Sequence, residues 1–164
     1  MTVVVVMGVA GSGKTTVGSA LAARLAVPYA EGDAFHPEAN IEKMSSGHPL
    51  TDAERLPWLR AIAGWIRQHQ ETGGVVSASA LKREYRDVLR SGGNVWFLHL
   101  TGRRDVLAER MKARSGHFMP VSLLDSQLAD LAPLETDERG LVADIAGTPD
   151  DIVTAALSAL KEPT

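Results

Sequence analysis

Five short apolar runs punctuate the chain, separated by stretches in which apolar residues recur every three or four positions. Thr2–Met7 is a continuous β-branched run, the pattern of a strand covered on both faces and therefore of a central place in a parallel sheet. At Lys14 the period changes. Val17, Leu21 and Leu25 recur at spacings of four and predict a helix over Lys14–Leu25. A short second strand, Pro28–Glu31, ends at Gly32-Asp33. Val75–Ala80, Val95–Leu100 and Leu141–Ile145 read as strands three to five. Helices are predicted over Lys82–Arg90, Arg103–Arg114 and Val121–Leu131, and from Thr148-Pro149-Asp150 to about Lys161, with Pro149 at the first helical position.

Residues 34–70 interrupt this alternation with an all-helical insertion. Asn40–Ser46 predicts a short helix and Gly47-His48-Pro49 a break. Thr51 and Glu54 have the spacing of a capping box opening a longer helix, whose inner stripe is Leu59, Ile62, Ala63 and Ile66. Pro57, one turn in, predicts a kink or a late start. Strands alternating with helices imply an α/β domain with a five-stranded parallel sheet, and 164 residues suit a single domain, 1–164. Ligands of such sheets bind at the carboxyl ends of the strands. Those ends carry Gly8–Thr15, then Glu31 and Asp33, then Ser79 and Lys82, then Gly102-Arg103.

Composition narrows the function classes. The net charge of −3 argues against bulk nucleic-acid binding. The basic residues are nevertheless clustered, with nine Lys or Arg against four acidic residues between Lys82 and Arg114, which suits a small anionic ligand. Cysteine is absent, so no disulfide framework or thiolate metal site is expected. No apolar run approaches a membrane span and no leader is evident, so a cytoplasmic protein with no membrane partner is expected.

The stretch Gly8-Val9-Ala10-Gly11-Ser12-Gly13-Lys14-Thr15 fits G-x-x-x-x-G-K-[ST], the P-loop, and lies where the chemistry needs it, after a buried strand and before a helix. Glycines let the backbone aim several N–H groups at one point, and the positive end of the helix adds to them. Lys14 can reach the outer phosphates, Thr16 extends the loop, and the Thr15 hydroxyl can ligate Mg²⁺. A nucleoside triphosphate, ATP, is the expected ligand.

Asp33 is the candidate carboxylate that accepts a hydrogen bond from an acceptor hydroxyl and aims it for in-line attack. Glu31 is placed to hold Mg²⁺ through water. Lys82 and Arg86, four apart after strand three, are the expected cations for an anionic acceptor. Arg110 and Arg114 are expected to neutralise the transferring phosphoryl group from a lid at 111–126. His36 and His117 flank the cleft as candidate acceptor contacts. Three activities remain open on these residues alone: a sugar-acid kinase, a kinase of another small hydroxy acid such as shikimate, and a non-catalytic nucleotide-binding module.

Longer stretches narrow the choice. Gly32-Asp33-x-x-His36-Pro37-x-x-Asn40-Ile41-x-Lys43-Met44, Arg55-Leu56-Pro57-Trp58-Leu59, Ser79-Ala80-Leu81-Lys82-x-x-Tyr85-Arg86 and Arg110-Met111-Lys112-Ala113-Arg114-Ser115-Gly116-His117-Phe118-Met119 resemble the bacterial gluconokinase family over nearly the whole chain. The resemblance implies a three-layer α/β/α P-loop kinase fold and phosphorylation of D-gluconate at its 6-hydroxyl by ATP with Mg²⁺, commonly in a homodimer. By the same resemblance Asp33 orients the hydroxyl, Lys82, Arg86 and His36 hold the sugar acid, and Arg110 and Arg114 belong to the lid. Adenine would lie between a lid arginine and Gly147-Thr148-Pro149. Family members often carry Asp where this chain has Glu31.

Overall fold

The computed structural model describes residues 2–113 and 123–161. Its five strands, β1 (Val3–Met7), β2 (Tyr29–Glu31), β3 (Gly74–Ser77), β4 (Val95–Thr101) and β5 (Gly140–Asp144), form one parallel sheet in the order β2-β3-β1-β4-β5. The apolar run at the amino end becomes the central strand because it can be buried on both faces. Val4 and Val6 face a core with Val17, Leu21, Leu98, Leu107 and Ile152. Val3, Val5 and Met7 face a second core with Trp58, Leu59, Ile62, Ile66, Leu89 and Phe97. Alternate side chains of one strand thus serve two layers, giving the expected three-layer arrangement.

The helices are α1 (Lys14–Leu25), α2 (Glu38–Ser45), α3 (Asp52–Gln68), α4 (Arg83–Arg90), α5 (Arg104–Ala113), α6 (Leu124–Asp130) and α7 (Pro149–Lys161). α1, α5 and α7 supply the first core, and α3 and α4 the second. The capping box at α3 forms: Glu54 N donates to Thr51 Oγ1 at 3.2 Å and Thr51 N to Glu54 Oε1 at 2.8 Å. That cap fixes the start at Asp52, so the late start expected from Pro57 does not occur. The helix runs through Pro57, which lies on its exposed side.

Two strand ends shape the cleft, and one of them, that of β3, differs from the sequence expectation. β3 stops at Ser77, and Ala80, expected to close it, takes a left-handed conformation with φ 46° outside the strand. β2 ends in a 3-10 turn, Gly32–Phe35. There a Cβ on Gly32 would fall 1.9 Å from the Ser77 carbonyl oxygen, so only glycine lets the two strand ends approach. β1 lies between β3 and β4, and the chain leaves it in one direction and returns on the other side. The crevice at its carboxyl end is where such sheets bind ligands.

Candidate active site

The P-loop turns out of β1 with Gly11 at φ 83° and Gly13 at φ 90°, values that side chains resist. Gly13 caps α1 without a side-chain hydrogen bond, so the first amides of the helix keep their capacity for an anion. Lys14 Nζ reaches back to the Gly8 and Val9 carbonyls at 3.0 and 3.1 Å, across the mouth of the loop. Beside the loop runs a groove of about 360 Å³ lined by Gly11, Gly13, Thr15, Thr16 and Arg110. A slot of about 160 Å³ continues it, between Arg110, Ile145, Gly147, Pro149 and Ile152. Arg110 is steadied there by the Ile145 carbonyl at 3.1 Å. The slot has the composition expected for an adenine site. Thr148 instead caps α7, accepting from Asp151 N at 3.1 Å.

Glu31 sits in a cage of hydroxyls. Thr15 Oγ1 donates to its carboxylate at 2.9 and 3.0 Å, Tyr29 OH at 2.9 Å and Ser77 Oγ at 2.9 Å. Burial, with the Glu31 charge adding to it, pushes the Tyr29 phenol up to about 12, so it stays a donor. The Thr15 hydroxyl and the Glu31 carboxylate are adjacent hard oxygens, as Mg²⁺ requires. Among the described residues no cluster of three acidic or histidine side chains forms a separate metal cage.

On the other side of the P-loop lies a second cleft, where Lys14, Asp33, His36, Arg55, Ser79 and Gln127 meet over an apolar floor of Met44, Leu50 and Trp58. The 3-10 turn brings Asp33 here. His36 stacks on Trp58 at 4.1 Å, and Trp58 Nε1 donates to the Gly32 carbonyl at 2.8 Å, locking the turn that carries Asp33. Burial, then the nearby Arg55 charge, lowers His36 to about 4, so the ring is neutral near pH 7. Asn40 approaches its Nδ1 at 3.4 Å.

The two acceptor-side cations, Lys82 and Arg86, are not where the sequence reading put them. Arg86 is a correction: its side chain is fully buried, with no exposure. It donates to Glu138 at 2.6 and 3.1 Å and to the carbonyls of Ala80, Leu81, Ala132 and Pro133 at 3.0–3.1 Å. Every donor of the guanidinium side is committed to the protein, so nothing remains for a substrate. Lys82 caps α4 at the rim, paired with Asp52 at 3.3 Å and lying over the Tyr85 ring, and it does not line the cleft. Beside Lys14 of the P-loop, the cation lining the cleft is Arg55, which the sequence reading left without a role. It is mostly buried, donates to Tyr85 OH at 2.8 Å and stands 4.0 Å from Asp130. Its signal was present: Arg55, Leu59, Ile62 and Ile66 share the inner face of α3 at helical spacing. Ala10 is a second correction. Its amide donates to Gln127 Oε1 at 2.7 Å, not toward the phosphate side. Arg114 and His117, with most of the expected lid, lie outside the described residues. A wider groove of about 430 Å³ lies at the amino end of β4, but its charged lining is largely self-paired and far from the P-loop.

A strand-end P-loop beside a cleft lined by the Asp33 carboxylate and the Lys14 and Arg55 cations is the layout of a small-molecule kinase. The sequence pattern of the shikimate kinase family matches residues 10–147. A gluconokinase from Gluconobacter oxydans is 52% identical over 137 residues, covering 82% of this chain and 77% of that one. The chain belongs to the gluconokinase family. The thermoresistant gluconokinase of Escherichia coli is 41% identical, covering 96% and 93% of the two chains. A gluconokinase structure from Sinorhizobium meliloti superposes with a TM-score of 0.87 at 49% identity, covering 97% of this chain and 91% of the other. The domain is therefore a kinase domain of the shikimate kinase type, with gluconokinases as its relatives.

Proposed function

We propose that this kinase transfers the γ-phosphoryl group of ATP to the 6-hydroxyl of D-gluconate, giving 6-phospho-D-gluconate and ADP. The observation that carries this is the pairing of Asp33 and Arg55 in a cleft that opens against Lys14. Gluconate has a carboxylate at one end and the reacting hydroxyl at the other. Arg55 suits the carboxylate, as a planar donor that grips two oxygens. Asp33 suits the hydroxyl: it accepts the hydrogen bond, aims the oxygen in line and takes the proton as the new bond forms. Neutral His36, held flat against Trp58, suits the intermediate hydroxyls, since it can donate or accept without adding charge.

The donor side follows from the P-loop. Its amides and Lys14 hold the phosphates, and Arg110 places a charge beside them from the groove wall. Thr15 and Glu31 would hold Mg²⁺, directly and through water. The ion supplies charge neutralisation on the transferring phosphoryl oxygens. The gluconokinase resemblance also supports a homodimer, to be tested by light scattering, and a cytoplasmic location; no described helix is long and apolar enough to cross a membrane.

A panel of sugar acids and shikimate, each incubated with ATP and Mg²⁺ and followed by phosphorus NMR, tests the proposal. A phosphomonoester on the primary hydroxyl of gluconate is the expected product. Preferential product from shikimate, or ADP release indifferent to every acceptor, would remove it.

A further inference from the structure

Three walls of the acceptor cleft meet on α6. At its start Leu123 packs with Met44 and Leu50 of the insertion. At its end Ala132 N donates to the Leu81 carbonyl at 2.7 Å, beyond β3. Between these, Gln127 is buried on a seven-residue helix whose Leu124 and Leu128 pack in the first core. Its carboxamide oxygen takes the Ala10 amide at 2.7 Å, a buried bond across 117 residues of sequence. A polar side chain in that position loses its water and needs a partner. One partner is the P-loop, at the side facing the acceptor and not the nucleotide groove.

Other bonds hold the loop as well: Lys14 Nζ reaches the Gly8 and Val9 carbonyls at 3.0 and 3.1 Å. Gly8 N is held by the Ser79 carbonyl at 3.3 Å, and Ser12 N by the Val9 carbonyl at 3.3 Å, both long bonds. The Gln127 bond, the shortest of these at 2.7 Å, ties the front of the donor loop to α6 and so to the cleft lined by Asp33 and Arg55. In-line transfer is steep in that distance, since a displacement of about 1 Å costs on the order of 100-fold in rate.

We propose that Gln127 is a positioning residue for phosphoryl transfer, joining α6 to the Ala10 amide and fixing the donor loop against the acceptor cleft. The inference rests on the acceptor reading above. Gln127 acts through the loop: nucleotide affinity is set chiefly by Lys14 and the loop's remaining amides, whereas transfer to the acceptor depends on the spacing it maintains.

The test is the set Gln127→Ala, Gln127→Asn and Gln127→Glu, with kcat and KM for gluconate and ATP, acceptor-independent ATP hydrolysis, and Tm. Gln127→Ala leaves a buried amide unpaired and should lower kcat for transfer about 10- to 100-fold. KM for ATP should stay within about threefold and hydrolysis by water should not fall in parallel. Gln127→Asn, one methylene short, should behave like Gln127→Ala. Gln127→Glu keeps an acceptor atom for the Ala10 amide, so its kcat should recover to within about fivefold of wild type, while its charge raises KM for gluconate. Unchanged kcat in folded Gln127→Ala, or a lower Tm with normal turnover, overturns the proposal. If Gln127→Ala does not fold, equal losses in Gln127→Asn and Gln127→Glu overturn it. Should wild type prefer another acid, the same comparison is made on that acid. A wild type with no acceptor-dependent turnover overturns both readings.

Discussion

Replacing Arg86 separates two accounts of one residue. As a substrate ligand it would be expendable for folding and costly for KM. The structure makes it an internal brace. Arg86→Met takes the close ion-pair partner from the Glu138 carboxylate, which has no exposure and keeps the Glu135 amide at 3.0 Å and Arg83 at 3.7 Å, and removes a guanidinium donor from four carbonyls on two chain segments. Removing one partner of a buried pair costs about 3–5 kcal/mol. Some of the carbonyls will find water through local opening, so their loss is not added in full. Against a total stability of about 5–15 kcal/mol that is a large fraction. For a chain of this size it corresponds to a fall in Tm of roughly 10 °C. Urea unfolding monitored by the tryptophans measures it. The double variant Arg86→Met with Glu138→Met removes both charges and should recover at least half of the loss. The reasoning is refuted if Arg86→Met is destabilised by less than about 1 kcal/mol while KM for gluconate rises 100-fold.

Arg55→Ala should raise KM for gluconate about 10- to 100-fold, the worth of hydrogen bonds to a charged group, with KM for ATP little changed in the same assay. Asp33→Asn should lower kcat by at least 100-fold while calorimetry still shows nucleotide binding. His36 binds its proton less readily folded than unfolded, falling from 6.5 to about 4. Between those values the unfolded chain holds more protons, so stability should rise from pH 4 to 6.5, by about 2 kcal/mol after allowance for the ring's partial exposure, and level off above. His36→Gln should flatten that slope in urea titrations. Thr51→Ala removes one half of the α3 capping box and should cost about 1 kcal/mol by the same measurement.

Much of this was readable because it is local. The run Thr2–Met7, the loop Gly8–Thr15 and the four-residue spacing of α1 are written in consecutive residues, and the structure places α1 at the expected Lys14–Leu25. The carboxyl-end rule then brought Asp33 and the P-loop to one crevice. What failed depended on distant partners. Arg86 looked like a cation on a basic face, yet its neighbours Tyr85 and Leu89 are on the buried side of α4. Its position meant a buried charge, and Glu138, which neutralises it, is 52 residues away with no motif to announce it. Arg55 was hidden for a related reason: an arginine heading an apolar stripe reads as helix surface until α4 and the 3-10 turn enclose it. Gln127 lies in a helix that the sequence predicted, but its partner at Ala10 is 117 residues earlier.

A P-loop donor site stands beside a sugar-acid acceptor site, and the initial rate of ADP formation with Mg²⁺-ATP shows whether phosphoryl transfer runs between them. Adding D-gluconate should raise that rate at least 100-fold over the acceptor-free background and well above the rate with shikimate. A rate that is the same with and without gluconate would contradict the account.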